Sequence, residues 1–276
     1  MTHPTAPAGP EGSRPHPPTG VDPSVPHPAR FWNYMLGGTY WYPADRQAAE
    51  AVIAQLPEVH DLAKAGREFL WRTVRWTARE AGVRQFLDIG AGLPAEPNIH
   101  QIAQRHASEA RVVYVDNDPM VGMYQQAYRD STPEGRTACF IADMRDTAEV
   151  LQRAADTLDF RQPIALVFSD CLGLIEDDAE VYAVVKRFVD HVASGSYLIL
   201  SHSAPTSSAV VASGAKYNSA PGVIPFTLRG RDQIAHCFEG LELVDPGLVL
   251  MPDWHPDSDT LPARAGIGYG AVARVP

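Results

Sequence analysis

The chain has 276 residues, of which 45% are hydrophobic, enough for one large domain or one domain with an appendage. Its formal net charge of -10 argues against non-specific binding to nucleic acid, and no run of lysine and arginine offsets that charge. The apolar runs are far shorter than a membrane span, and the amino terminus lacks the apolar segment of a secretory signal.

The amino-terminal stretch is rich in proline, glycine and serine and poor in aliphatic side chains, which predicts a disordered tail over 1–25. The cysteines Cys139, Cys171 and Cys237 are widely spaced and odd in number, which indicates neither a zinc site nor a disulfide framework. We therefore expect a cytoplasmic protein with no metal site and no membrane or nucleic-acid partner. The sequence predicts no oligomeric state.

An N-terminal helical cap or lid is predicted over 26–82. In the stretch ARFWNYMLGG, apolar residues recur at helical spacing until Gly37 and Gly38 end the helix. Pro43 is expected to begin a second helix, and a longer third helix is expected over about 58–80.

Aromatic residues cluster around the end of the first predicted helix. Either they form a lid that stacks on a flat substrate or encloses a cation, or they pack the helices onto the rest of the chain. The candidate lid and substrate residues are Tyr34, Gly37, Gly38, Tyr40, Trp41, Tyr42 and, later in the chain, Cys171.

Over 83–276, short apolar runs alternate with amphipathic segments, which predicts strands alternating with helices. Such alternation is typical of an α/β fold, with a mostly parallel sheet covered by helices on both faces. Seven strands are expected. The polar stretch 201–230 is predicted to form a mobile wall over the substrate.

A glycine-rich turn follows the first predicted strand, in the stretch QFLDIGAGLP. Gly90 and Gly92 let the backbone turn tightly and let a ligand approach without a Cβ in the way. Asp88 can accept hydrogen bonds from the loop amides or meet a cationic ligand group. Pro94 stands where a dinucleotide-binding loop needs a third small residue, which disfavours a nicotinamide-dependent oxidoreductase.

Carboxylates also end the second and third predicted strands. Asp116 lies where a ribose diol would be held, whereas Asp118 is expected to cap the helix that begins at Pro119. Asp143 can accept from an adenine amino group, with Met144 against the ring. The alternative for Asp143 is a simple strand exit before a helix cap.

Chemistry is expected near the fourth strand end, at Ser169, Asp170 and Cys171. Asp170 and His202, which ends the fifth strand, are candidate general bases, although a lone histidine is more often a structural hydrogen-bonder. A reactive Cys171 thiolate is disfavoured because no cationic residue is near it in sequence. Arg229 is expected to face solvent.

The ordered set of Asp-x-Gly-x-Gly, an acidic second strand end, Ala-Asp-Met and a polar fourth strand end resembles a class I S-adenosylmethionine-dependent methyltransferase. The stretches PARFWNYMLGG, QFLDIGAGLP and RVVYVDNDPMV narrow the resemblance to the actinobacterial S-adenosyl methyltransferase family, long catalogued as a domain of unknown function. The resemblance runs from about Pro26 to the C-terminus. It implies a Rossmann-like class I methyltransferase fold that binds S-adenosylmethionine.

The same resemblance implies a role for each strand end. The glycine loop with Asp88 would surround the methionine moiety, Asp116 the ribose, and Asn117, Asp143 and Met144 the adenine. The implied cofactor-binding residues are Asp88, Gly90, Ala91, Gly92, Asp116, Asn117, Asp143, Met144 and Ser169.

We therefore expect a methyltransferase that acts on a small-molecule acceptor in specialised metabolism. The chain departs from the family pattern at TYWY, residues 39–42, and at CLG, residues 171–173, where the acceptor is expected. Two alternatives follow from these departures. One is a protein that binds S-adenosylmethionine as a sensor or scaffold, and the other is an enzyme that keeps the cofactor for a rearrangement or cyclisation.

Overall fold

The computed structural model describes residues 17, 19–123, 131–257 and 266–276. Most of the predicted tail lies outside the described residues, as does the second half of the helix expected after Pro119. No helix in the described ranges is both long and apolar enough to cross a membrane.

Within the described part of the chain, eight strands form one sheet in the spatial order 3-2-1-4-5-8-6, and the seventh also pairs with the eighth. The first five pair in parallel, whereas the eighth is antiparallel to the fifth. The strands are β1 (Gln85–Ile89), β2 (Arg111–Asp116), β3 (Arg136–Ile141), β4 (Ala165–Ser169), β5 (Tyr197–Ser203), β6 (Glu242–Leu243), β7 (Val249–Leu250) and β8 (Gly268–Arg274).

The predicted α/β class and mostly parallel sheet are confirmed, but the sheet has one strand more than expected. Both β6 and β7 pair with β8, at opposite ends of it. Between them, Pro246 has no N–H to donate, and Gly247 has a φ of 82°. The edge ladder is therefore interrupted and then resumes as a second short strand.

Local sequence signals place most of the helices. Helix α2 begins at Pro43 and α5 at Pro119, while Asp177 accepts hydrogen bonds from the first amides of α7. Helix α8 was not predicted, and it lies inside the stretch expected to be a polar wall. The helices are α1 (Pro28–Met35), α2 (Pro43–Ile53), α3 (Val59–Arg79), α4 (Ile99–His106), α5 (Pro119–Met123), α6 (Thr147–Ala154), α7 (Asp178–Val189), α8 (Ser208–Asn218) and α9 (Arg231–His236).

The sheet is covered on both faces because side chains alternate along each strand. Leu87 and Ile89 of β1 pack on the face covered by α6, α7 and α9. Phe86 packs on the opposite face, together with Phe69 and Val74 of α3 and with α4 and α5. Helix α3 thus belongs to the core of the sheet, while the predicted domain boundary between 82 and 83 stays a prediction.

A third apolar cluster joins α1, α2, the first turn of α3 and α8. Phe31 and Met35 of α1 are buried there against Val52 of α2 and Tyr217 of α8. The rings of Phe31 and Tyr217 meet edge to face at 4.9 Å. This cluster fixes α1 beside the carboxyl ends of the strands, where it contributes to the cavity described below.

Candidate functional site

One cavity lies at the carboxyl ends of β1, β2, β3 and β4, and every residue that the sequence assigned to a cofactor lines it. Asp170 and Cys171 line the same cavity. Ligands of open parallel sheets bind at this edge. The predicted cofactor residues at the cavity are Asp88, Gly90, Ala91, Gly92, Asp116, Asn117, Asp143, Met144 and Ser169.

The turn after β1 depends on its two glycines. Gly90 and Gly92 have φ values of 73° and 68°, in the left-handed region that favours glycine. A Cβ at Gly90 would also overlap the side chain of Cys171. The amides of Gly90 and Ala91 donate to the Val115 carbonyl, which ties the turn to the end of β2.

The Asp116 carboxylate is held in the cavity wall by two backbone donors. Gly92 N donates to Oδ2 at 2.8 Å, and Asp118 N donates to Oδ1 at 2.9 Å. Asp118 itself caps α5, since its Oδ1 accepts from Met120 N. The two neighbouring carboxylates thus have the separate positions that the sequence predicted, although the ligand role of Asp116 stays a prediction.

Asp88 is a buried carboxylate that faces the cavity, and among the described residues its side chain has no hydrogen-bond partner. Burial raises its pKa to about 7, while the positive charge of Arg67 lowers it and the neighbouring Asp116 raises it further. Arg67 lines the cavity from α3, and its Nη2 donates to the Ala95 carbonyl at 2.7 Å. Arg67 was not among the residues predicted from the sequence.

The Asp143 carboxylate is paired with Arg145, which was not predicted from the sequence. Arg145 donates to it from its backbone N–H and from its guanidinium, with an Nη2 to Oδ2 distance of 2.6 Å. These hydrogen bonds lower the pKa of Asp143. Both side chains line the cavity, so Asp143 presents an ionised, oriented carboxylate there.

Asp170 has a backbone φ of 58°, uncommon for a residue other than glycine. Its Oδ1 accepts from Ser203 N at 2.6 Å, and its Oδ2 accepts from Ser203 Oγ at 2.9 Å. Burial raises its pKa to about 7, despite these two bonds. A strained residue with a pKa near neutrality in a cavity is a candidate for proton transfer.

Cys171 is buried, and its thiol donates to the Ile89 carbonyl at 3.1 Å. Burial raises its pKa well above the usual value, with contributions from the negative charges of Asp88 and Asp170. The group is therefore a neutral thiol that packs against Gly90, in agreement with the expectation that it is not a reactive thiolate.

His202 does not line the cavity, which corrects its placement as a candidate base. The ring is buried, with Nδ1 2.7 Å from the Ser203 carbonyl and Nε2 3.1 Å from Nη1 of Arg229. Nδ1 therefore carries the proton and Nε2 accepts. Burial, together with the charge of Arg229, lowers the histidine pKa to about 4.

Arg229 is 1% exposed, so the expectation that it faces solvent was wrong. Besides His202, its guanidinium donates to Asp178 and to the carbonyls of Leu172 and Ile175. It thus holds the turn after β4 against β5. No local pattern marks an arginine for this role, because its partners lie 27 to 57 positions away.

Tyr34, near the end of α1, and the aromatic residues that follow the helix do not line the cavity, which argues against the lid, one of the two alternatives that the sequence left open. Tyr34 and Trp41 meet edge to face at 5.1 Å, and Trp41 Nε1 donates to the Gly38 carbonyl. Tyr42 lies under the guanidinium of Arg30 at 5.4 Å. The other alternative left open by the sequence was packing, and it accounts for Tyr34, Tyr40, Trp41 and Tyr42. Gly37 and Gly38 also lie outside the cavity lining.

One wall of the cavity is largely apolar and was not predicted from the sequence. We call it the apolar wall. Its residues come from α1 and its C-terminal end, from α3, and from segments that follow α8 and β7. The positions on α1 and α3 recur every three or four residues, so a second helical stripe was the signal that could have found them. The apolar wall comprises Trp32, Leu36, Leu62, Leu70, Phe226 and Met251.

Buried polar contacts join α1 and α2 to the turn after β2. His27 Nδ1 lies 3.0 Å from Oδ2 of Asp118, and Arg30 Nε lies 3.5 Å from the same oxygen. Asp45, at the start of α2, accepts from the backbone amides of His27 and Tyr42. Helices α1 and α2 are thus joined to this side of the cavity by specific contacts, because the backbone N–H of Asp118 donates to the Asp116 carboxylate.

Comparison with known proteins identifies the family. The sequence pattern of the S-adenosyl methyltransferase family matches residues 14–276. No curated protein matches the chain. The crystal structure of a DUF574 family protein from Streptomyces avermitilis is 41% identical, with a TM-score of 0.87, over 91% of this chain and 98% of that one.

A protein from Thermobifida fusca that is described as a methyltransferase is 34% identical, with a TM-score of 0.86, over 94% of this chain and 98% of that one. Both matches extend over almost the whole length of both chains, so the predicted Rossmann-like methyltransferase fold is confirmed. The chain therefore belongs to the S-adenosyl methyltransferase family, and its cofactor is S-adenosylmethionine.

Proposed function

We propose that the protein transfers the methyl group of S-adenosylmethionine to a small-molecule acceptor in specialised metabolism. One observation carries the proposal: a single cavity joins the carboxylate-bearing strand ends to the apolar wall. The first region suits a cationic nucleoside, and the second suits an uncharged organic molecule. A cytoplasmic location is part of the proposal, and it agrees with the three free cysteines.

The residues of this cavity fit the cofactor. Asp116 has lone pairs left for a ribose diol, since each oxygen accepts one backbone hydrogen bond from the described residues. Asp143 and Met144 lie where adenine would be held, as does the exposed Asn117. We assign these residues to the adenosine moiety.

Asp88 and Arg67 would hold the amino-acid end of the cofactor. A methionine moiety carries an ammonium and a carboxylate, and a buried carboxylate beside a guanidinium complements both charges. The Arg67 guanidinium also reaches the glycine turn through the Ala95 carbonyl. The glycine turn and the Arg67 guanidinium therefore lie on the same side of the cavity.

When bound, the cofactor supplies a methyl group activated by the sulfonium charge. The chain has to align the acceptor and exclude water, which the apolar wall does. Asp170 accepts a proton at its carboxylate if the acceptor is a hydroxyl or phenol, and its pKa of about 7 suits that role.

The two departures from the family pattern do not argue against methyl transfer. The aromatic residues of TYWY pack outside the cavity lining. In CLG, a Cβ at Gly173 would overlap the ring of Phe226, so this glycine gives Phe226 its place in the apolar wall. The departures thus bear on the shape of the acceptor side.

The test is turnover of S-adenosylmethionine to S-adenosylhomocysteine with a panel of hydroxylated and amino aromatic compounds, followed by mass spectrometry. We expect acceptor-dependent turnover with a mass gain of one methylene. Tight cofactor binding without turnover on a broad panel would favour the sensor or scaffold alternative. Turnover that changes the acceptor without adding a methyl group would favour the rearrangement alternative.

A further inference from the structure

Asn33 on α1 is a polar residue set among the apolar side chains of the cavity. It lies between Trp32 and Leu36, which line the cavity with it, and its exposed fraction is only 4%. A buried amide in such surroundings needs hydrogen bonds to offset its loss of water. The partners of its two polar atoms therefore indicate its role.

The oxygen of the Asn33 side chain is satisfied by the chain itself. Tyr40 N donates to Oδ1 at 2.8 Å, and Gly38 N donates to the backbone carbonyl of Asn33, also at 2.8 Å. Gly37 makes this wrapping possible with a φ of 79°. The segment after α1 thus closes around one side of Asn33 and fixes its orientation.

Gly38 has a direct steric relation to the same amide. A Cβ at this position would overlap the carbonyl carbon, oxygen and nitrogen of the Asn33 side chain. The glycine pair after α1 therefore does more than end the helix, because it leaves room for a side-chain amide held flat against the turn. The predicted lid glycines act on the cavity through Asn33, without lining it themselves.

The nitrogen of the Asn33 amide has no hydrogen-bond partner among the described residues. Two polar lining residues on or next to α1 and α3 have other partners: Arg67 of α3 donates to the Ala95 carbonyl, and His27, which precedes α1, lies against Asp118. Asn33 is thus a fixed neutral donor beside the apolar wall. We propose that Nδ2 of Asn33 donates to a neutral oxygen or nitrogen of the methyl acceptor, an uncharged and largely aromatic molecule.

This proposal rests on the proposed function and names its substrate class. Trp32 and Phe226 provide aromatic surface for a flat molecule, and the donor selects one that carries a hydrogen-bond acceptor. A ligand without that atom would leave the amide nitrogen buried and unpaired, which costs affinity. Asn33 is therefore a specificity-determining residue, and it takes no part in the proton transfer.

The test uses quinoline and naphthalene, which have the same shape and differ by one ring nitrogen that accepts a hydrogen bond. Each is titrated at pH 8 by ligand-observed NMR, with and without S-adenosylhomocysteine. We expect quinoline to bind about five- to ten-fold more tightly than naphthalene, the effect of one buried neutral hydrogen bond.

Asn33→Asp is the decisive variant, because it keeps an oxygen for Tyr40 N and replaces only the donor. We expect the preference for quinoline to disappear. Asn33→Leu, which removes both polar atoms, should reverse the order and favour naphthalene. Gln55→Glu is the control, since it adds the same charge as Asn33→Asp at an exposed position and should leave the preference unchanged.

Equal affinity of the two probes for the native protein would overturn the proposal, and so would a quinoline preference that persists in Asn33→Asp. Failure of both probes to bind would also overturn it, because the apolar wall would then not accept flat neutral molecules. Failure of S-adenosylhomocysteine to bind would instead contradict the proposed function. The probe titrations without it still decide the role of Asn33.

Discussion

Asp116 is prepared for a ligand by the backbone around it. One oxygen accepts from Gly92 N in the turn after β1 and the other from Asp118 N in the turn after β2, and the residue is 8% exposed. Burial raises its pKa, and the two backbone hydrogen bonds oppose that rise. A ligand hydroxyl therefore meets a carboxylate that is already oriented, so little ordering is needed on binding.

Replacing Asp116 should show this directly. We expect Asp116→Ala to weaken S-adenosylmethionine binding by about ten-fold or more, because one or two charge-assisted hydrogen bonds are lost. Asp116→Asn keeps one acceptor oxygen, so its affinity for S-adenosylmethionine should lie between that of the native protein and that of Asp116→Ala. Isothermal titration calorimetry measures the effect, with thermal unfolding of each variant as the folding control. Unchanged affinity would remove Asp116 from the ribose role.

For single residues, the sequence predicted where a side chain lies relative to its strand better than it predicted which group that side chain contacts. Asp116 and Asp118 follow β2 directly, so local order alone assigned the cap to Asp118. His202 has an equally local position at the end of β5, yet its ring points to Arg229. Only the folded chain brings that arginine to it.

Helix α3 has two buried faces with different tasks. Phe69 and Val74 pack on the sheet, while Leu62 and Gly66 line the cavity. Glycine in the middle of a helix costs about 1 kcal/mol relative to alanine. A Cβ at Gly66 would lie 3.8 Å from Sδ of Met251, an ordinary contact, so the fold does not require glycine there.

We therefore expect Gly66→Ala to raise the free energy of unfolding by about 0.5–1 kcal/mol, because it removes backbone freedom from the unfolded chain. Gly82→Ala is the matched control. Gly82 has a φ of 70°, where alanine is strained, so that variant should lose stability by a similar amount. Urea denaturation measures the free energy of unfolding of both variants and of the native protein. Destabilisation by Gly66→Ala would show that packing against Met251 needs the glycine.

Helix α8 has only a weak local sequence signal, which explains why it was not predicted. Its sequence, SAVVASGAKYN, is rich in small and polar residues and has no strong apolar stripe. Its buried apolar residues, Val210 and Tyr217, face a cluster built by α1 and α2. The helix is therefore stabilised by tertiary packing, which overrides a weak local preference.

The cavity is lined by carboxylates as well as by Arg67 and Arg145, in a chain of net charge -10. Asp88, Asp116, Asp143 and Asp170 all line it. Burial raises the pKa of Asp88 and of Asp170 to about 7, so both are partly protonated near neutrality before a ligand binds. A cationic ligand favours their ionised forms and couples its own binding to proton release.

The affinity for S-adenosylmethionine should therefore rise with pH up to about 7 and then level off. Below that pH, each linked proton changes the affinity by at most about ten-fold per unit. Calorimetric titration between pH 5.5 and 7.5, in buffers of different ionisation enthalpy, measures both the slope and the protons released. The slope should decrease in Asp88→Asn. A flat profile in the native protein would contradict the linkage.

Asp88 should also destabilise the ligand-free fold at alkaline pH. In the folded protein its pKa is about 7, above the usual 3.8. The protonated Asp88 therefore favours the folded state below about pH 4, and that stabilisation is lost as pH rises through 7. At about 1.4 kcal/mol per pKa unit, Asp88→Asn should gain up to about 4 kcal/mol at pH 8 and little at pH 4.

Chemical denaturation at pH 4 and pH 8 tests this difference. Asp156→Asn is the control, because it makes the same substitution at an exposed position. An Asp88→Asn protein that is no more stable than the native one at pH 8 would refute the assignment of a destabilising buried charge.

The sequence by itself determined the α/β alternation, the helix starts at Pro43 and Pro119, and the set of strand-end residues that lines the cavity. These features depend on local spacing, caps and turn geometry, which act within a few residues. The tertiary structure decided which side chains meet across the fold. It placed Arg67 beside Asp88, buried Arg229 against His202 and turned Asn33 toward the cavity, because burial and pairing of polar groups depend on elements that are distant in sequence.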